Sequence, residues 1–149
     1  MALKIGDKAP DFEVKNQNNE TVKLSDFKGQ KVVLYFYPKD NTPTCTTQAC
    51  NIRDNYQQYT SKGIKVLGVS PDSAKKHQNF IKKFDLPFDL LVDEDKALNE
   101  AYGVWQEKQM YGKKYMGTVR TTFVIDENGV IENIIDNVKA KEHTDQILA

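Results

Sequence analysis

The sequence predicts one α/β domain with a mixed central sheet flanked by helices. Two apolar runs, at residues 31–37 and 64–69, have strand length and lack polar alternation, which is typical of strands covered on both faces. The turn sequence Asp-Glu-Asn-Gly at residues 126–129 lies between two alternating runs and predicts an antiparallel hairpin. A chain of 149 residues can bury one core, so residues 1–149 are predicted to form a single domain.

The first half of the chain supplies the parallel part of this sheet. Residues 11–14 and 21–24 flank a polar turn and predict a small N-terminal hairpin. Between the two apolar runs, apolar residues recur every three or four positions up to Gly63, which predicts a helix and completes a β-α-β unit. Ser73 precedes an apolar stripe in a lysine-rich segment, and we interpret it as the cap of a second helix.

The second half of the chain adds shorter elements. We predict a strand at residues 88–92, a helix at 96–102 and an irregular stretch at 103–117, followed by strands at 121–125 and 130–135. The order of all these elements fits a thioredoxin-like α/β fold with an N-terminal hairpin extension. It also fits other small three-layer domains.

The charge pattern excludes several classes of partner. Acidic and basic residues number 21 each and are interleaved, so no basic stripe is available for nucleic acid or an anionic membrane. The first residues lack the apolar stretch of a signal peptide, and no later segment has the length of a membrane span. We therefore predict a cytoplasmic protein that binds neither nucleic acid nor membrane.

The chain has two cysteines, Cys45 and Cys50. In a reducing compartment such a pair is more often catalytic, redox-cycling or metal-binding than structural. A zinc site needs four ligands, and the remaining candidates, His77 and His143, are distant in sequence. We therefore expect no metal, and we interpret both histidines as solvated side chains.

Cys45 follows the end of the first apolar run, where the next helix is predicted to begin. Ligand sites of open α/β sheets lie at this end of the strands. Unpaired N–H groups and the positive end of the helix dipole favour a thiolate there. A cysteine can also be a small buried core residue, but a Pro-bounded loop with the hydroxyls of Thr42 and Thr44 favours a nucleophile that meets an oxygen substrate.

Residues 37–50, Tyr-Pro-Lys-Asp-Asn-Thr-Pro-Thr-Cys-Thr-Thr-Gln-Ala-Cys, contain the pattern Pro-x-x-x-Thr-x-x-Cys. This pattern resembles the active site of the peroxiredoxins, in particular of their Q-type, or bacterioferritin comigratory, branch. Segments at residues 6–12, 24–29, 68–70 and 120–126 are similar to landmarks of the same family. The resemblance therefore covers nearly the whole chain.

The resemblance implies a thiol peroxidase that reduces hydrogen peroxide and organic hydroperoxides. Cys45 would be the peroxidatic thiolate that becomes a sulfenic acid, Thr42 would hydrogen-bond the peroxide, and Pro38 would shield the sulfur. Arg120 would stabilise the thiolate and the transition state, which agrees with the effect of a cation and of aimed donors on O–O cleavage. Thr44 is a further candidate for substrate contact. No metal or organic cofactor is implied.

Two residues depart from the family pattern. Many relatives have Gly where Thr44 stands, and Glu is common where Gln48 stands. We expect Thr44 to affect the flexibility of the loop or access to it, and Gln48 removes one negative charge. Without the resemblance, Arg120 would be interpreted as an ordinary surface cation at the start of a strand.

Cys50 matches the resolving thiol of the Q-type branch, which condenses with the sulfenic acid. In a regular helix, residues five positions apart have Cα atoms about 8–9 Å apart, whereas a disulfide needs less than about 7 Å. A bridge to Cys45 therefore requires part of the helix to unwind. The resemblance implies thioredoxin as the reductant of this disulfide. Alternatively, Cys50 is a core residue beside Ala49.

Two other functions are compatible with these residues. One is a general thiol–disulfide oxidoreductase, although that chemistry usually uses Cys-x-x-Cys rather than the wider spacing found here. The other is a redox-sensing module without sustained turnover. For the peroxidase, the resemblance favours a monomer or weak dimer. The aromatic and apolar residues Trp105, Tyr111, Tyr115 and Met116 either form a wall beside the site or cover the edge of the sheet.

Overall fold

The computed structural model describes residues 3–149, with a seven-stranded mixed sheet at its centre. The strands are β1 (Glu13–Asn16), β2 (Thr21–Lys23), β3 (Lys31–Phe36), β4 (Ile64–Ser70), β5 (Asp89–Val92), β6 (Trp105–Met110), β7 (Lys113–Thr118), β8 (Thr121–Ile125) and β9 (Ile131–Ile135). The helices are α1 (Pro43–Asp54), α2 (Tyr56–Ser61), α3 (Ala74–Phe84), α4 (Ala97–Ala101) and α5 (His143–Leu148), with short 3-10 turns at Leu24–Phe27 and Ala140–Glu142. No helix within residues 3–149 is long and apolar enough to cross a membrane.

The order of strands in the main sheet is β2-β1-β5-β4-β3-β8-β9. β3, β4 and β5 run parallel, whereas β8 pairs antiparallel with both β3 and β9. The predicted α/β fold with a mixed sheet is therefore confirmed. The N-terminal hairpin is part of this sheet, because β1 also pairs with β5, where Lys15 lies opposite Val92.

β3 runs through the middle of the core. Its side chains alternate between the two faces of the sheet. Val32 and Leu34 pack into one apolar cluster, and Val33 and Tyr35 pack into the other. Both faces are covered, which explains the continuous apolar run in the sequence. The second cluster also contains the Cys45 side chain.

The predicted helix between β3 and β4 is divided at Asn55. Its backbone lies outside the helical region, with φ −112° and ψ 15°. Asn55 Nδ2 donates to the backbone oxygen of Asn51 at 2.8 Å. Asparagine side chains compete in this way for backbone groups that would otherwise form helix hydrogen bonds. The break limits the helix that carries both cysteines to Pro43–Asp54.

The prediction of an irregular stretch at residues 103–117 is wrong. β6 and β7 form a regular antiparallel hairpin. Tyr111 and Gly112 form its two-residue turn, with φ values of 52° and 78°, and two positive values are what a type I′ turn requires. Residues 111–112 are Tyr-Gly rather than the usual Asn-Gly. Since tyrosine rarely takes a positive φ, the sequence gives no signal for this turn.

The interpretation of both histidines as solvated is also wrong. His77 and His143 are each 0 % exposed. His77 Nδ1 contacts Asp40 Oδ2 at 2.6 Å, and its Nε2 contacts the backbone oxygen of Leu91 at 2.8 Å. The ring nitrogens of His143 contact polar side chains of α1 and β8. Burial is tolerated because every ring nitrogen has a polar partner.

Gly68 in β4 provides a test of the packing over the sheet. A Cβ atom at this position would lie 2.7 Å from Leu90 Cδ2 and 3.0 Å from the ring of Tyr35. We expect Gly68→Ala to lower the free energy of unfolding by about 1–3 kcal/mol, because buried side chains must move. Urea denaturation measures the change. In an uncrowded strand the same substitution would stabilise by about 0.5–1 kcal/mol, so a more stable variant would contradict this packing.

Candidate active site

Residues 37–42 connect β3 to α1 and form one edge of the candidate active site. Pro43 occupies the first helical position, which suits its fixed φ and its missing N–H. Cys45 follows in the first turn of α1. Unpaired backbone N–H groups and the positive end of the helix dipole lie at this turn and stabilise an anion. The chain therefore places a thiol where a thiolate is favoured.

Cys45 is buried against Arg120. The cysteine is a free thiol and is 2 % exposed. Arg120 directly precedes β8, and its Nη2 donates to Cys45 Sγ at 3.3 Å. The guanidinium therefore faces the sulfur, unlike an ordinary surface cation. A positive charge this close stabilises the thiolate, which is the nucleophilic form of cysteine.

Gln48 contacts the other side of the guanidinium. Its Oε1 accepts a hydrogen bond from Arg120 Nη1 at 2.6 Å. Its Nε2 lies 3.4 Å from His143 Nδ1, and His143 Nε2 lies 2.8 Å from Thr122 Oγ1. In the sequence, Gln48 was only a departure from the family pattern, and nothing indicated that His143 reaches the site.

The other predicted site residues lie on the loop and at the start of α1. Thr42 Oγ1 donates to the backbone oxygen of Lys39 at 2.8 Å, so its lone pairs can still accept a hydrogen bond. Pro38 is half-buried. Thr44 is exposed and lines a surface groove with residues 139–142. Thr42 and Pro38 thus belong to the loop that leads to Cys45, whereas Thr44 also faces the C-terminal segment.

Cys50 lies on the same continuous helix as Cys45. It is a free thiol, half-buried rather than fully in the core, and it lines a shallow depression with Asp54 and Lys141. On a regular helix the Cα atoms of the two cysteines are about 8–9 Å apart, beyond the limit of about 7 Å for a disulfide. A bridge between them requires local unwinding of α1.

A buried network holds the loop at residues 37–42 independently of α1. Tyr37 Oη donates to Asp40 Oδ1 at 2.5 Å, and His77 Nδ1 contacts Asp40 Oδ2 at 2.6 Å. The backbone N–H of Asp40 donates to Asp72 Oδ2 at 2.7 Å. These contacts tie the loop to α3 and to the segment before it, and none of these three contacts involves a residue of α1.

Lys108 on β6 is a second cation near the site, and no motif in the sequence indicates it. Its Nζ donates to the backbone oxygen of Thr118 at 2.9 Å. Burial lowers the pKa of Lys108, the charge of Arg120 lowers it further, and the charge of Cys45 raises it. Gly117 leaves room for the lysine stem, because a Cβ there would lie 3.0 Å from Lys108 Cδ. The hairpin thus brings one ammonium group close enough to interact with the sulfur.

The apolar residues of the hairpin do not cover the main sheet. Tyr111, Tyr115 and Met116 are 98 %, 41 % and 52 % exposed, and β6 and β7 form a sheet of their own. Trp105 is half-buried, with Lys96 Nζ at 5.8 Å from its ring centroid. The structure therefore does not support the interpretation of these residues as a cover for the sheet edge.

A thiolate stabilised by a helix start and a guanidinium, on a thioredoxin-like sheet, is suited to thiol peroxidase chemistry, and comparisons with known proteins assign the chain to that class. The sequence matches the AhpC/TSA family over residues 5–134. Peroxiredoxin Bcp of Bacillus subtilis is 50 % identical over 148 residues, which cover 99 % of this chain and 94 % of that protein. Peroxiredoxin Bcp of Escherichia coli K12 is 47 % identical over 146 residues, with 98 % and 94 % coverage.

Solved structures agree with the sequence comparison. A PrxQ mutant of Xylella fastidiosa superposes with a TM-score of 0.93 at 34 % identity, and a peroxiredoxin Q mutant of Xanthomonas campestris with 0.89 at 36 %. Each match covers 99 % of this chain and 94 % of the other. The chain belongs to the AhpC/TSA family, in the Q-type, or bacterioferritin comigratory, branch of the peroxiredoxins. It is a thiol peroxidase, which implies a peroxide substrate and a thiol reductant.

Acid should destabilise the fold through His143. Burial, together with the charge of Arg120, lowers the pKa of His143 from 6.5 to about 3. Between these pH values the unfolded chain binds the extra proton, so stability falls as the pH drops, by at most about 1.4 kcal/mol per unit. Urea unfolding at about pH 7 and pH 4.5 should show a smaller acid loss for His143→Asn than for wild type. Equal losses would contradict the buried neutral state.

Removal of the Lys108 charge should slow the reaction of Cys45 with peroxide. We expect a rate about threefold lower for Lys108→Met at low salt, because one nearby positive charge no longer stabilises the thiolate. Lys108→Arg should keep most of the rate. Stopped-flow measurement of the reduced protein with hydrogen peroxide provides the test. The control is Lys114→Met on the same hairpin, since the side chain of Lys114 is 72 % exposed, and equal effects at both positions would exclude a local role for Lys108.

Proposed function

We propose that the chain reduces hydrogen peroxide and small organic hydroperoxides through Cys45 as peroxidatic thiolate, with Cys50 as resolving thiol and thioredoxin as reductant. The observation that carries the proposal is the 3.3 Å contact from Arg120 Nη2 to Cys45 Sγ in the first turn of α1. The helix start and the guanidinium both stabilise negative charge on sulfur.

In the first step, the thiolate of Cys45 attacks the terminal oxygen of the peroxide. The S–O bond forms as the O–O bond breaks, sulfur loses two electrons, and the leaving oxygen takes up a proton to become water or an alcohol. Arg120 stabilises the charge on that oxygen. Thr42 can accept the peroxide O–H, because its own proton is already donated to Lys39. Pro38 limits water around the sulfur, and Thr44 lies close enough in sequence to affect substrate access.

In the second step, the thiol of Cys50 attacks Sγ of the Cys45 sulfenic acid, a disulfide forms and water leaves. This step requires α1 to unwind, since the helix holds the two thiols too far apart. Two sets of contacts limit how far the unwinding extends. Asp40 anchors the loop before α1, and Asn51 directly after Cys50 is hydrogen-bonded to the C-terminal segment.

In the third step, a dithiol reductant attacks the disulfide, releases both thiols and leaves with its own disulfide, after which α1 refolds. Thioredoxin fits this role as a cytoplasmic dithiol protein, and a cytoplasmic location is part of the proposal. We also propose that the enzyme works as a monomer or weak dimer, because both cysteines come from one chain. The spacing of four residues between Cys45 and Cys50 argues against a general thiol–disulfide oxidoreductase.

The central experiment follows peroxide consumption with thioredoxin, thioredoxin reductase and NADPH. We expect sustained turnover for wild type and none for Cys45→Ser. Cys50→Ser should react once with peroxide and then lose most of its turnover, with sulfinic acid accumulating at Cys45, because the sulfenic acid has no thiol partner. Mass spectrometry should find a Cys45–Cys50 bridge in oxidised wild type.

Three results would contradict the proposal. Full turnover of Cys50→Ser, without a bridge in wild type, would exclude the resolving role. A single reaction with peroxide but no turnover with thioredoxin would point to a redox sensor or to another reductant. Repeating the assay with glutaredoxin in place of thioredoxin would distinguish these two explanations. Reduction of insulin disulfides without peroxidase activity would indicate the oxidoreductase instead.

A further inference from the structure

A continuous line of polar contacts leads from the sulfur into the core. Arg120 joins Cys45 to Gln48, with distances of 3.3 Å to Sγ and 2.6 Å to Oε1. Gln48 Nε2 continues to His143 Nδ1 at 3.4 Å, and His143 Nε2 continues to Thr122 Oγ1 at 2.8 Å. The mechanism proposed above uses only the first two residues of this line, so the other three need an explanation.

The direction of every hydrogen bond in this line is fixed by the guanidinium. Arginine has only donors, so Gln48 must present its oxygen to Arg120 and its NH₂ group to His143. His143 Nδ1 must then accept, and a neutral ring carries its proton on Nε2, which donates to Thr122 Oγ1. Only one orientation of the amide and one tautomer of the imidazole satisfy all four groups.

Burial makes this orientation important. Gln48, His143 and Thr122 are each 0 % exposed, so water cannot easily replace a lost partner. If the amide turned around, its NH₂ group would face Arg120 Nη1, and two donors would then lie 2.6 Å apart. The amide oxygen would face His143 Nδ1. Burial and the charge of Arg120 lower the pKa of His143 to about 3, which keeps Nδ1 an acceptor near neutral pH.

An amide needs such a partner more than a carboxylate does. A glutamate at position 48 would present an acceptor to Arg120 in either orientation of its two oxygens. Gln48 has one acceptor end and one donor end. Its contact with Arg120 therefore depends on whether the group beyond its NH₂ end accepts a hydrogen bond. The residue at that end is His143. Its other ring nitrogen contacts Thr122 in β8, the strand that begins directly after Arg120.

We propose that His143 is a positioning residue of the peroxidase reaction, which orients the Gln48 amide so that Gln48 Oε1 holds the Arg120 guanidinium against Cys45 Sγ. This inference rests on the proposed roles of Cys45 and Arg120. His143 touches neither peroxide nor sulfur, and it acts through the two side chains between them.

Two substitutions of His143 separate the roles of its two ring nitrogens. Asparagine places a side-chain oxygen at the position of Nδ1, counted in bonds from Cα, and keeps an acceptor for Gln48. Glutamine reaches the position of Nε2 and keeps the contact with Thr122 but leaves the Gln48 NH₂ group without its acceptor. We expect His143→Gln to slow the reaction of reduced enzyme with hydrogen peroxide roughly tenfold, and His143→Asn to slow it less than about threefold.

The pH profile of Cys45 alkylation by iodoacetamide should move to higher pH in His143→Gln and stay near that of wild type in His143→Asn. A structural role would not order the variants in this way. In the double variant Gln48→Glu/His143→Gln, the carboxylate should restore most of the rate lost in the single variant. Equal losses in both single variants that follow their melting temperatures, or no loss in either, would overturn the proposal.

One measurement needs no variant and cannot fail through misfolding. In nitrogen-15 NMR of the reduced wild-type enzyme at neutral pH, His143 should be neutral with its proton on Nε2, and a proton on Nδ1 would overturn the proposal. The alkylation profile also separates this inference from the proposed function. If wild type proved to have no turnover with thioredoxin, the order of the His143 variants in alkylation would still report whether Arg120 is positioned through Gln48.

Discussion

Both thiols of this enzyme lie on one helix, and the geometry of that helix is the constraint on which the rest of the structure depends. While α1 is intact, Cys45 is buried in the first helical turn against Arg120, where sulfur is favoured as a thiolate. The same helix holds Cys50 too far away to form a disulfide. On the proposed mechanism, the folded form of α1 serves the reaction with peroxide and the unwound form serves the formation of the disulfide.

On the proposed mechanism, contacts on both sides of the two cysteines would restrict the unwinding of α1 to a short segment. Before the helix, Asp40 is held by a buried tyrosine, a buried histidine and a carboxylate. After Cys50, the Asn51 side chain donates to the backbone oxygen of Lys141 at 2.9 Å and accepts from the backbone N–H of Thr144 at 2.8 Å. The Asp40 contacts are buried and therefore costly to lose, whereas the Asn51 contacts are exposed or part-buried. On the proposed mechanism, Asp40 is thus the firmer boundary of the segment that opens.

The parts of the fold that depend on local sequence patterns could be predicted, and those that depend on distant partners could not. The continuous apolar run of β3 and the proline-bounded loop before α1 identified the strand, the helix start and Cys45. The β6–β7 hairpin was missed because Tyr111 supplies a positive φ that the residue type does not indicate. Since that hairpin was missed, Lys108 was missed with it.

His143 was misjudged for a different reason. Its partner Gln48 is 95 residues away, and Thr122 is 21 residues away. A histidine that is satisfied in the core and one that is solvated look the same in a sequence, because the difference lies in which polar groups the fold brings to the ring. In the sequence His143 has no visible partner, but in the structure it is part of the network around Arg120.

The charge balance at Arg120 connects the chemistry to the conformational change. Within residues 3–149, none of the salt bridges involves Arg120, and the groups that contact its guanidinium are the neutral Gln48 oxygen and Cys45 Sγ. On the proposed mechanism, a thiolate at Cys45 would be the anion that balances this partly buried cation. In that mechanism, oxidation to the sulfenic acid would convert the anion into a neutral group and leave the guanidinium uncompensated. The contact that holds Cys45 in the folded helix would therefore be weakest at the proposed step in which α1 unwinds and Cys50 reaches the sulfur.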